Sequence, residues 1–246
     1  MTDQAYLYKQ YNQWQQDKGN SLIQQANVKP NQKILDVGCG TGELTYVLAK
    51  KTLPHGNVFA IDPDNARITL AKDNQPSDLN NITWSNKEIE VLDEIKPGTI
   101  DIAYANYVMH WVADKEKALS VICDALKPGG LYVMNCITEY SNIIADIAMF
   151  SEEYLPVFKA YNIVKKDNWI SLLHSYKFDI LETKKIDDFI FDCLDDFFVF
   201  WEAASHGKFK KDMLSNHGYN NLLKKYPNEI SVFGSETLNI CAVKRL

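Results

Sequence analysis

Cysteine is scarce in this 246-residue sequence, and its arrangement argues against two kinds of structure. The cysteines number five and are scattered along the chain, and no two of them are spaced as Cys-x-x-Cys. An odd, dispersed set of this kind supports neither a disulfide framework nor a zinc site. The five are Cys39, Cys123, Cys136, Cys193 and Cys241.

Long apolar runs are also missing from the sequence. No window approaches the roughly 18 continuous apolar residues that a membrane-spanning helix requires. The first residues, Met1-Thr2-Asp3-Gln4, lack the basic and apolar regions of a signal peptide. We therefore expect no membrane span and a cytoplasmic location.

Positive charge is in deficit. The chain has 26 lysines and arginines against 32 aspartates and glutamates, a net charge of −6, and no long basic tract. Because basic contacts to phosphate supply most non-specific affinity for nucleic acids, nucleic acid is not expected as the substrate, although a local basic groove stays open. The hydrophobic share of 46% and the charged share of 24% are those of a globular protein. We expect one sizeable domain with insertions, or two small ones.

The most informative stretch is residues 34–45. An apolar run leads to Asp36, a turn with Gly38, Gly40 and Gly42 follows, and a helical pattern begins after it. This order is typical of a buried parallel strand whose carboxyl end brings the backbone to a ligand. The spacing Gly-x-Gly-x-Gly is one residue shorter than that of dinucleotide sites. It favours close approach of an uncharged nucleoside, with a nicotinamide dehydrogenase as the rival interpretation.

Strand and helix patterns alternate through the first half of the chain, which predicts a doubly wound parallel sheet. The predicted strands are 33–37, 58–61, 82–85, 100–105 and 131–134, with a turn at 127–130. Helices are predicted at 5–27, 43–50 and 115–126, with one more capped by Asp64 or Asn65. After residue 138 the pattern changes to helical segments at 141–165 and 193–226 and strand-like segments at 178–190 and 238–243.

The run Asp36-Val37-Gly38-Cys39-Gly40-Thr41-Gly42 resembles the first motif of the class I S-adenosylmethionine-dependent methyltransferases. The resemblance implies an α/β fold with a Rossmann-like, doubly wound sheet of seven strands, the last two being antiparallel partners at one edge. It also implies three regions: a helical N-terminal lid (1–30), a cofactor-binding core (31–138), and edge strands with helical cover insertions (139–246). The implied cofactor is S-adenosyl-L-methionine and the implied product S-adenosyl-L-homocysteine.

Candidate nucleoside-binding residues follow the next two strands. Asp62 lies 22 positions after Gly40 and precedes Pro63, and an acid there can accept bonds from both ribose hydroxyls; a helix cap is the alternative. Asn86 and Lys87 lie where the family has an acid and then a small residue against the adenine. The Asn86 oxygen can accept the same bond, but a shift of one residue would place Lys87 or Glu88 there.

Four further residues receive roles in the cofactor site. Asn106 ends the fourth strand and is expected to help hold the methionine portion. Asp36 is expected to order the glycine turn through backbone amides, and Cys39 to contribute backbone atoms rather than a reactive thiol. Arg67 stands where the family often has a methionine against the adenine; it either stacks on the base or is an exposed helix residue.

The acceptor site is predicted just after the fourth strand, where His110-Trp111 stands. The Asn-Pro-Pro-Tyr of many DNA and protein N-methyltransferases is absent there. The pair resembles trans-aconitate, malonyl-carrier and insect juvenile hormone acid methyltransferases, and the last group also shares Leu7-Tyr8-Lys9, Asn12 and Gln15. In that group the glutamine and tryptophan hold the substrate carboxylate, which implies that role for Gln15 and Trp111, with His110 beside them.

The residue types fit transfer to a carboxylate, which is ionised at neutral pH and needs orientation more than deprotonation. For a phenol or an amine, His110 would be the general base. A cofactor-binding protein without turnover is a third interpretation, and His110 and Trp111 could also simply pack against the sheet. The many aromatic residues beyond 149 favour a small-molecule acceptor with an apolar body. The aspartates at 187–196 fit helix caps and solvated faces better than a metal site, and we expect a monomer or homodimer.

Overall fold

Seven strands form the central sheet of the computed structural model, which describes residues 2–154, 156, 158, 161–233 and 236–246. These strands are β1 (Lys33–Val37), β2 (Asn57–Ile61), β3 (Ile82–Ser85), β4 (Ile100–Asn106), β5 (Leu126–Ile137), β6 (Phe178–Lys184) and β9 (Thr237–Lys244). A second sheet pairs β7 (Phe189–Phe191) with β8 (Ile230–Val232). The helices are α1 (Thr2–Tyr11), α2 (Gln13–Gln25), α3 (Glu43–Thr52), α4 (Asn65–Asp73), α5 (Lys115–Ala125), α6 (Asn142–Phe150), α7 (Lys166–Ser175), α8 (Leu194–Ala204) and α9 (Asn216–Lys225).

The strand order in the large sheet is β3-β2-β1-β4-β5-β9-β6. The pairs from β3 through β5 are parallel, and β9 runs antiparallel to both β5 and β6. In β1 the residues Ile34, Leu35 and Val37 are all but inaccessible, as expected for a strand covered by helices on both faces. The predicted doubly wound sheet of seven strands is confirmed.

The turn predicted at 127–130 is a bulge inside a longer strand. Ile100 pairs with Leu126 and Ile102 pairs with Leu131, so the four residues between them have no partner in β4. Gly129 has φ of 76°, a left-handed conformation that glycine adopts without strain. The Pro-Gly-Gly sequence therefore interrupts the pairing rather than preceding the strand.

The helix predicted at 5–27 is two helices, α1 and α2, separated at Asn12. Asn12 has φ of −88° and ψ of 12°, and its side-chain oxygen accepts a hydrogen bond from Gln16 Nε2 at 2.6 Å. In α2, Gly19 lies so close to the sheet that a Cβ there would be 2.6 Å from the Tyr104 hydroxyl and 2.9 Å from Asn106 Nδ2. The absence of a side chain at Gly19 allows α2 to pack directly on the carboxyl edge of the sheet.

The second half of the chain adds an aromatic cover above that edge. The segment predicted as helical at 141–165 contains α6 and a 3-10 turn at Glu152–Tyr154, while residues 155, 157, 159 and 160 lie outside the described residues. The strand-like segment at 178–190 contains β6 and most of β7, which belong to different sheets. Helix α8 buries Phe197, Phe198 and Trp201 in a core separate from those that flank the large sheet.

Among the described helices, none is both long and apolar enough to cross a membrane. Four of the aspartates at 187–196 have polar partners: Asp187 pairs with Lys18, Asp188 accepts from Ser231, Asp195 pairs with Lys211, and Asp196 accepts from the Cys193 thiol. In the part of the chain that the structure describes, no group of three or more His, Cys, Asp or Glu side chains could hold a metal ion.

Candidate functional site

The glycine turn links β1 to α3 and is held against the end of β2. Gly38 and Cys39 donate their backbone N–H groups to the Ile61 carbonyl at 2.8 and 3.0 Å, and Gly40 donates to Asp62 Oδ2 at 2.9 Å. Gly38, Gly40 and Gly42 have φ of 70°, 56° and 92°, which glycine alone adopts freely. The turn thus depends on its glycines and on contacts with β2.

Asp62 is buried and joins two backbone segments. One carboxylate oxygen accepts from Gly40 and the other accepts from the N–H of Asp64 at 2.9 Å. The cap of α4 is Asp64, which accepts from Ala66 and Arg67, so the alternative that Asp62 itself caps the helix is wrong. Each oxygen of Asp62 keeps acceptor capacity for a further donor.

Two cavities meet at Gly38. Counted together with the open space at their mouths, the β2-side cavity has about 510 Å³ of empty volume and the α2-side cavity about 360 Å³. The β2-side cavity is lined by Val37, Gly38, Ile61, Pro63, Lys87, Glu88, Ile89, Glu90, Val108, Trp111, Val112 and Ala113. The α2-side cavity is lined by Tyr8, Asn12, Gln15, Gln16, Asp36, Gly38, Cys39, Glu43, Leu44, Tyr104 and Asn106.

The wall of the β2-side cavity after β3 is formed by Lys87 and Glu88. The side chain of Asn86 instead donates Nδ2 to the backbone carbonyl of Asp62 at 2.9 Å. Lys87 forms ion pairs with Asp93 at 2.7 Å and Glu94 at 3.0 Å, and these partners raise the pKa of its ammonium group. The cavity wall is therefore described better by the alternative alignment, which shifts the adenine position from Asn86 to Lys87 or Glu88.

Asp36 faces the α2-side cavity from the end of β1. Its Oδ2 accepts a hydrogen bond from Thr45 Oγ1 at 2.6 Å, whereas the Gly40 amide is taken by Asp62. The expectation that Asp36 orders the glycine turn through backbone amides is therefore not met by these bonds. Burial raises the pKa of Asp36 to about 7. It likewise raises the pKa of the Cys39 thiol well above its usual range, which opposes a reactive thiolate there.

Two side-chain oxygens around the α2-side cavity lack donors. Gln15 Oε1 and Glu43 Oε1 are buried and have no hydrogen-bond partner, and the Asp36 carboxyl lies in the same lining. Buried acceptors without donors carry a free-energy cost that a bound donor removes. This set of oxygens fits a ligand with an ammonium group, such as the amino-acid end of S-adenosylmethionine.

Arg67 is buried, which excludes an exposed helix position for it. Its guanidinium lies 3.9 Å from the centre of the Tyr8 ring, and Nη2 donates to the Ala203 carbonyl at 3.0 Å. The stacking partner of Arg67 is thus an aromatic ring of α1. Tyr8 itself packs over Gly40, where an added Cβ would lie 3.2 Å from the ring.

His110 is buried beneath the cover. Its Nδ1 is 3.4 Å from the backbone nitrogen of Ile137, which donates to it, so the ring proton lies on Nε2. Burial, together with the nearby Lys115 ammonium, lowers the pKa of His110 to about 3. At neutral pH the imidazole is therefore uncharged and offers a donor rather than a strong base. Its ring stacks on Tyr161 at a centroid distance of 5.1 Å.

Of the predicted acceptor residues, Trp111 and Gln15 line different cavities, and the buried His110 is in the lining of neither. Trp111 lines the β2-side cavity and lies next to His110 and 4.1 Å from Tyr161, measured between ring centroids. Gln15 lines the α2-side cavity. The structure thus brings His110 and Trp111 into contact, and the cavity of Gln15 adjoins that of Trp111 at Gly38.

Asn106 contacts α2 through its side chain. Its Nδ2 donates to the backbone carbonyl of Gln15 at 3.0 Å, and its Oδ1 accepts from Asn135 Nδ2 at 2.9 Å. Both polar ends of the carboxamide are therefore engaged within the protein.

Sequence reasoning missed three residues at this site. Glu43 directly follows the glycine turn, but nothing in its spacing distinguishes it from an ordinary first-turn acid of a helix. Val108 packs on Gly38, where a Cβ would lie 2.4 Å from its side chain. His206 Nδ1 donates to Asp64 Oδ2 at 2.8 Å across 142 residues, a separation that no local pattern reveals.

A family model and several relatives of this chain all carry the name methyltransferase. A family model described as "Methyltransferase domain" matches residues 28–187. Protein 235L of Invertebrate iridescent virus 6, provisionally named a methyltransferase, is 23% identical over 94% of this chain and 82% of its own length. Trans-aconitate 2-methyltransferase of Deinococcus radiodurans is 31% identical over 42% of this chain and 37% of its own length. Malonyl-[acyl-carrier protein] O-methyltransferase of Halalkalibacterium halodurans is 30% identical over 53% of this chain and 51% of its own length.

Solved structures share the fold at low sequence identity. The YcgJ protein of Bacillus subtilis superposes with a TM-score of 0.68 at 14% identity, covering 94% of this chain and 99% of its own. Geranyl diphosphate C-methyltransferase of Streptomyces coelicolor, solved with S-adenosyl-L-homocysteine, superposes with a TM-score of 0.59 at 12% identity, covering 93% of this chain and 76% of its own.

Proposed function

Because this chain belongs to the methyltransferase-domain family and takes S-adenosylmethionine as its cofactor, we propose that it methylates a small organic acid. The methyl group goes to a carboxylate oxygen, and the products are a methyl ester and S-adenosylhomocysteine.

The state of His110 is the observation that carries the carboxylate assignment. Its pKa of about 3 and the Ile137 amide on Nδ1 leave Nε2–H as the group it presents. A phenol or an ammonium must lose a proton before or during methyl transfer, and His110 is a poor acceptor for it. A carboxylate is already ionised and requires hydrogen-bond donors only. The Trp111 indole N–H and the Gln15 amide are donors of that kind.

The named relatives support the same acceptor class. Trans-aconitate and the malonyl group, which the names of two relatives specify as methyl acceptors, both carry carboxylates. Those alignments cover about half of this chain or less, and about half or less of each relative. They therefore support a carboxylic acid as the class, and we propose no particular acid.

The proposed placement of the cofactor follows the two cavities. Lys87 and Glu88 border the adenine, and Gly38 leaves room where the two cavities meet. Asp62, which lies in the sequence between the lining residues Ile61 and Pro63, accepts from the ribose hydroxyls. Asp36 and the Gln15 side-chain oxygen receive the ammonium group of the methionine portion in the α2-side cavity, and the Gln15 side-chain nitrogen is the donor left for the acceptor carboxylate. An opposite charge beside Asp36 would return its pKa toward the ordinary range for a carboxyl group.

The proposed reaction is an in-line displacement without proton transfer. When bound, S-adenosylmethionine supplies a methyl group on an activated sulfonium leaving group. A bond forms between the acceptor oxygen and the methyl carbon while the carbon–sulfur bond breaks. Gln15, His110 and Trp111 orient the carboxylate, and holding the reacting atoms about 3 Å apart supplies most of the rate acceleration. The aromatic rings of Tyr161 and Trp201 exclude water from this side.

The chemical class of the product tests the proposal. The protein is incubated with methyl-labelled cofactor and a panel of carboxylic acids, phenols and amines. We expect label in a carboxylic acid and release of labelled methanol on mild base treatment. Base-stable products formed from phenols or amines would overturn the carboxylate assignment.

Trp111→Phe is the matched variant for this assay, because it removes the indole N–H and keeps a ring against Tyr161. We expect turnover to fall about 10- to 100-fold, as for the loss of a hydrogen bond to a charged group, while affinity for S-adenosylhomocysteine stays within about twofold. Unchanged turnover would limit Trp111 to a packing role.

A further inference from the structure

Three asparagines, two buried and one half-buried, form a continuous row across the carboxyl edge of the sheet. Asn106 on β4 is in register with Asn135 on β5, which is in register with Asn239 on β9. Asn239 Nδ2 donates to Asn135 Oδ1 at 2.7 Å, and Asn135 Nδ2 donates to Asn106 Oδ1 at 2.9 Å. The row ends where Asn106 Nδ2 donates to the backbone carbonyl of Gln15 in α2 at 3.0 Å.

The carbonyl at the end of the row fixes the orientation of all three carboxamides. A carbonyl can only accept, so Asn106 must turn its nitrogen toward Gln15 and its oxygen toward Asn135. Asn135 must then present its nitrogen to Asn106 and its oxygen to Asn239. This order of donors and acceptors leaves the oxygen of Asn239 at the far end of the row. Asn239 Oδ1 is buried there without a hydrogen-bond partner.

The row is part of a wider attachment of α2 to the sheet. Asn135 Nδ2 also lies 3.4 Å from the Lys18 carbonyl, and the Tyr104 hydroxyl donates to the Gly19 carbonyl at 3.0 Å. The backbone carbonyls of Gln15, Lys18 and Gly19 in α2 therefore all contact side chains of β4 and β5. Because Gly19 has no side chain, this attachment occurs at close range.

We propose that Asn135 and Asn239 are positioning residues for the cofactor, acting through Asn106 on α2 and thereby on Gln15. Asn106 and Gln15 line the α2-side cavity, whereas Asn135 and Asn239 line a groove on the other side of α2. Neither of the two residues needs to touch the ligand to act. The proposal rests on the placement of the methionine portion beneath α2 in the proposed function.

The physical basis is the free-energy cost of a buried carboxamide that lacks a hydrogen-bond partner. Asn135 is 1% exposed and Asn239 6% exposed, so in the folded protein their carboxamides depend on each other for hydrogen-bond partners. Removing the Asn239 donor leaves Asn135 Oδ1 unpaired, and this favours rearrangement of Asn135 and release of Asn106 from Gln15. The consequence at the cavity is a less well defined position of α2.

A double-mutant cycle tests this order of action. We expect Asn239→Ala and Asn106→Ala each to weaken S-adenosylhomocysteine binding by about tenfold, measured by calorimetry. The double variant should bind little more weakly than Asn106→Ala alone, because without Asn106 the row reaches α2 only through the longer contact between Asn135 and the Lys18 carbonyl. Additive losses, or unchanged binding in Asn239→Ala, would overturn the proposal. If the alanine variant does not fold, Asn239→Asp repeats the cycle with a side chain of the same shape that, when ionised, has no donor.

Asn81→Ala is the matched control. Asn81 Nδ2 also connects separate backbone segments, donating to the Ala49 carbonyl at 2.9 Å and the Gly56 carbonyl at 3.3 Å, but it lies at the opposite end of the sheet. We expect a lower Tm, unchanged ligand affinity, and additivity with Asn106→Ala. An equal loss of affinity in this variant would attribute the effect to general destabilisation.

Hydrogen exchange separates this proposal from the proposed function. In protein without ligand, Asn239→Ala should increase amide exchange within residues 13–25, and Asn81→Ala should not. Faster exchange in α2 together with an inactive or non-binding wild type would contradict the proposed function and leave the asparagine row supported. Unchanged exchange in an active enzyme would contradict the role of the row alone.

Discussion

At the scale of single residues, His110 separates two kinds of methyl transfer. Its buried ring has a pKa of about 3 and receives the Ile137 amide on Nδ1. In His110→Asn an amide nitrogen keeps a neutral donor in the site, although its exact position differs from that of Nε2. We expect kcat at saturating cofactor to fall no more than about tenfold, since loss of a general base typically costs about 100-fold or more.

The pH dependence gives an independent check on His110. Because the pKa of His110 lies far below neutrality, its ionisation should not affect kcat between pH 6 and 8. The wild type and His110→Asn should therefore show the same pH dependence of kcat in this range. A histidine-dependent rise in that range would assign it a proton-transfer role.

Burial shifts the pKa of Asp36 in the opposite direction from that of His110, and the Asp36 carboxyl group is therefore hard to ionise. Its pKa is raised to about 7 in the folded protein from an ordinary value of 3.8. Its contribution to stability is therefore complete below about pH 3.8 and is lost as the pH rises through about 7. Asp36→Asn removes this loss and keeps an oxygen for the Thr45 hydroxyl. We expect a ligand-free Tm several degrees above that of the wild type at pH 8, and no difference near pH 4.

The same substitution should weaken the cofactor site. The amide at position 36 carries no charge to meet the ligand ammonium, so affinity for S-adenosylhomocysteine should fall while stability rises. In the wild type, affinity should increase as the pH rises through about 7 and Asp36 ionises. Calorimetry across that range checks both statements, and a pH-independent affinity in the wild type would contradict the placement of the ammonium beside Asp36.

Sequence reasoning located these residues more accurately than it described their bonds. Asp36 and Asp62 both follow apolar runs, so their places at strand ends were predictable from the pattern. Which carboxylate takes the Gly40 amide depends on the approach of β2 to the glycine turn, and no local signal records that. For the same reason the sequence did not show that Lys87 and Glu88, rather than Asn86, line the cavity wall. The Asn86 side chain is bonded to the Asp62 carbonyl, a contact between separate segments.

At the scale of elements, the break between α1 and α2 divides the amino-terminal segment into two helices with different packing partners. Local propensity over 5–27 favours one continuous helix, and Asn12 is not a strong breaker. The break is set by contacts at either end. Helix α2 is attached to β4 and β5, while α1 reaches α8 through Gln4 and Glu202 and reaches α4 through Tyr8 and Arg67.

Arg67→Met tests whether α1 is held over the glycine turn by this contact. The substitution keeps a long apolar side chain but removes the stacking on Tyr8 and the bond to Ala203. A buried cation–π contact contributes about 2 kcal/mol, which predicts roughly tenfold or greater opening of α1. Faster amide exchange in residues 2–11 and faster dissociation of S-adenosylhomocysteine are the expected results.

Lys72→Met is the control for Arg67→Met, since Lys72 lies on the same helix and is exposed. It should leave both the exchange of α1 and the dissociation rate unchanged. Equal behaviour of the two variants would mean that α1 is held by other contacts.

At the scale of the whole molecule, the large sheet was predictable and the cover was not. Alternating strand and helix patterns specify the parallel order because each buried strand reads as an apolar run. In the cover the aromatic residues are so dense that periodicity does not separate helix from strand. Phe178–Lys184 and Phe189–Phe191 read as one segment but belong to sheets that pack against different cores.

The cover and the cofactor-binding core are joined by a short polar path. His206, which follows α8, contacts Asp64 at 2.8 Å, and the backbone of Asp64 donates to Asp62. Burial, with Arg67 nearby, lowers the pKa of His206, so at neutral pH the contact is a neutral N–H donating to a carboxylate. The same ring meets Trp111 edge-on at 6.5 Å. Ligand binding at Asp62 should therefore stabilise the cover as well as the core.

His206→Gly and His206→Asn test this coupling as a pair. Both substitutions suit the φ of 56° at this position, but only asparagine can place an amide nitrogen close to where Nδ1 lies. In the wild type, S-adenosylhomocysteine at about 100 times its Kd should stabilise the protein by about 2.7 kcal/mol and slow amide exchange in α8. His206→Gly should lose the protection of α8 and keep that of the glycine turn, and His206→Asn should restore it. Protection of α8 that persists in His206→Gly would show that the aromatic packing, and not this polar path, connects the cover to the cofactor.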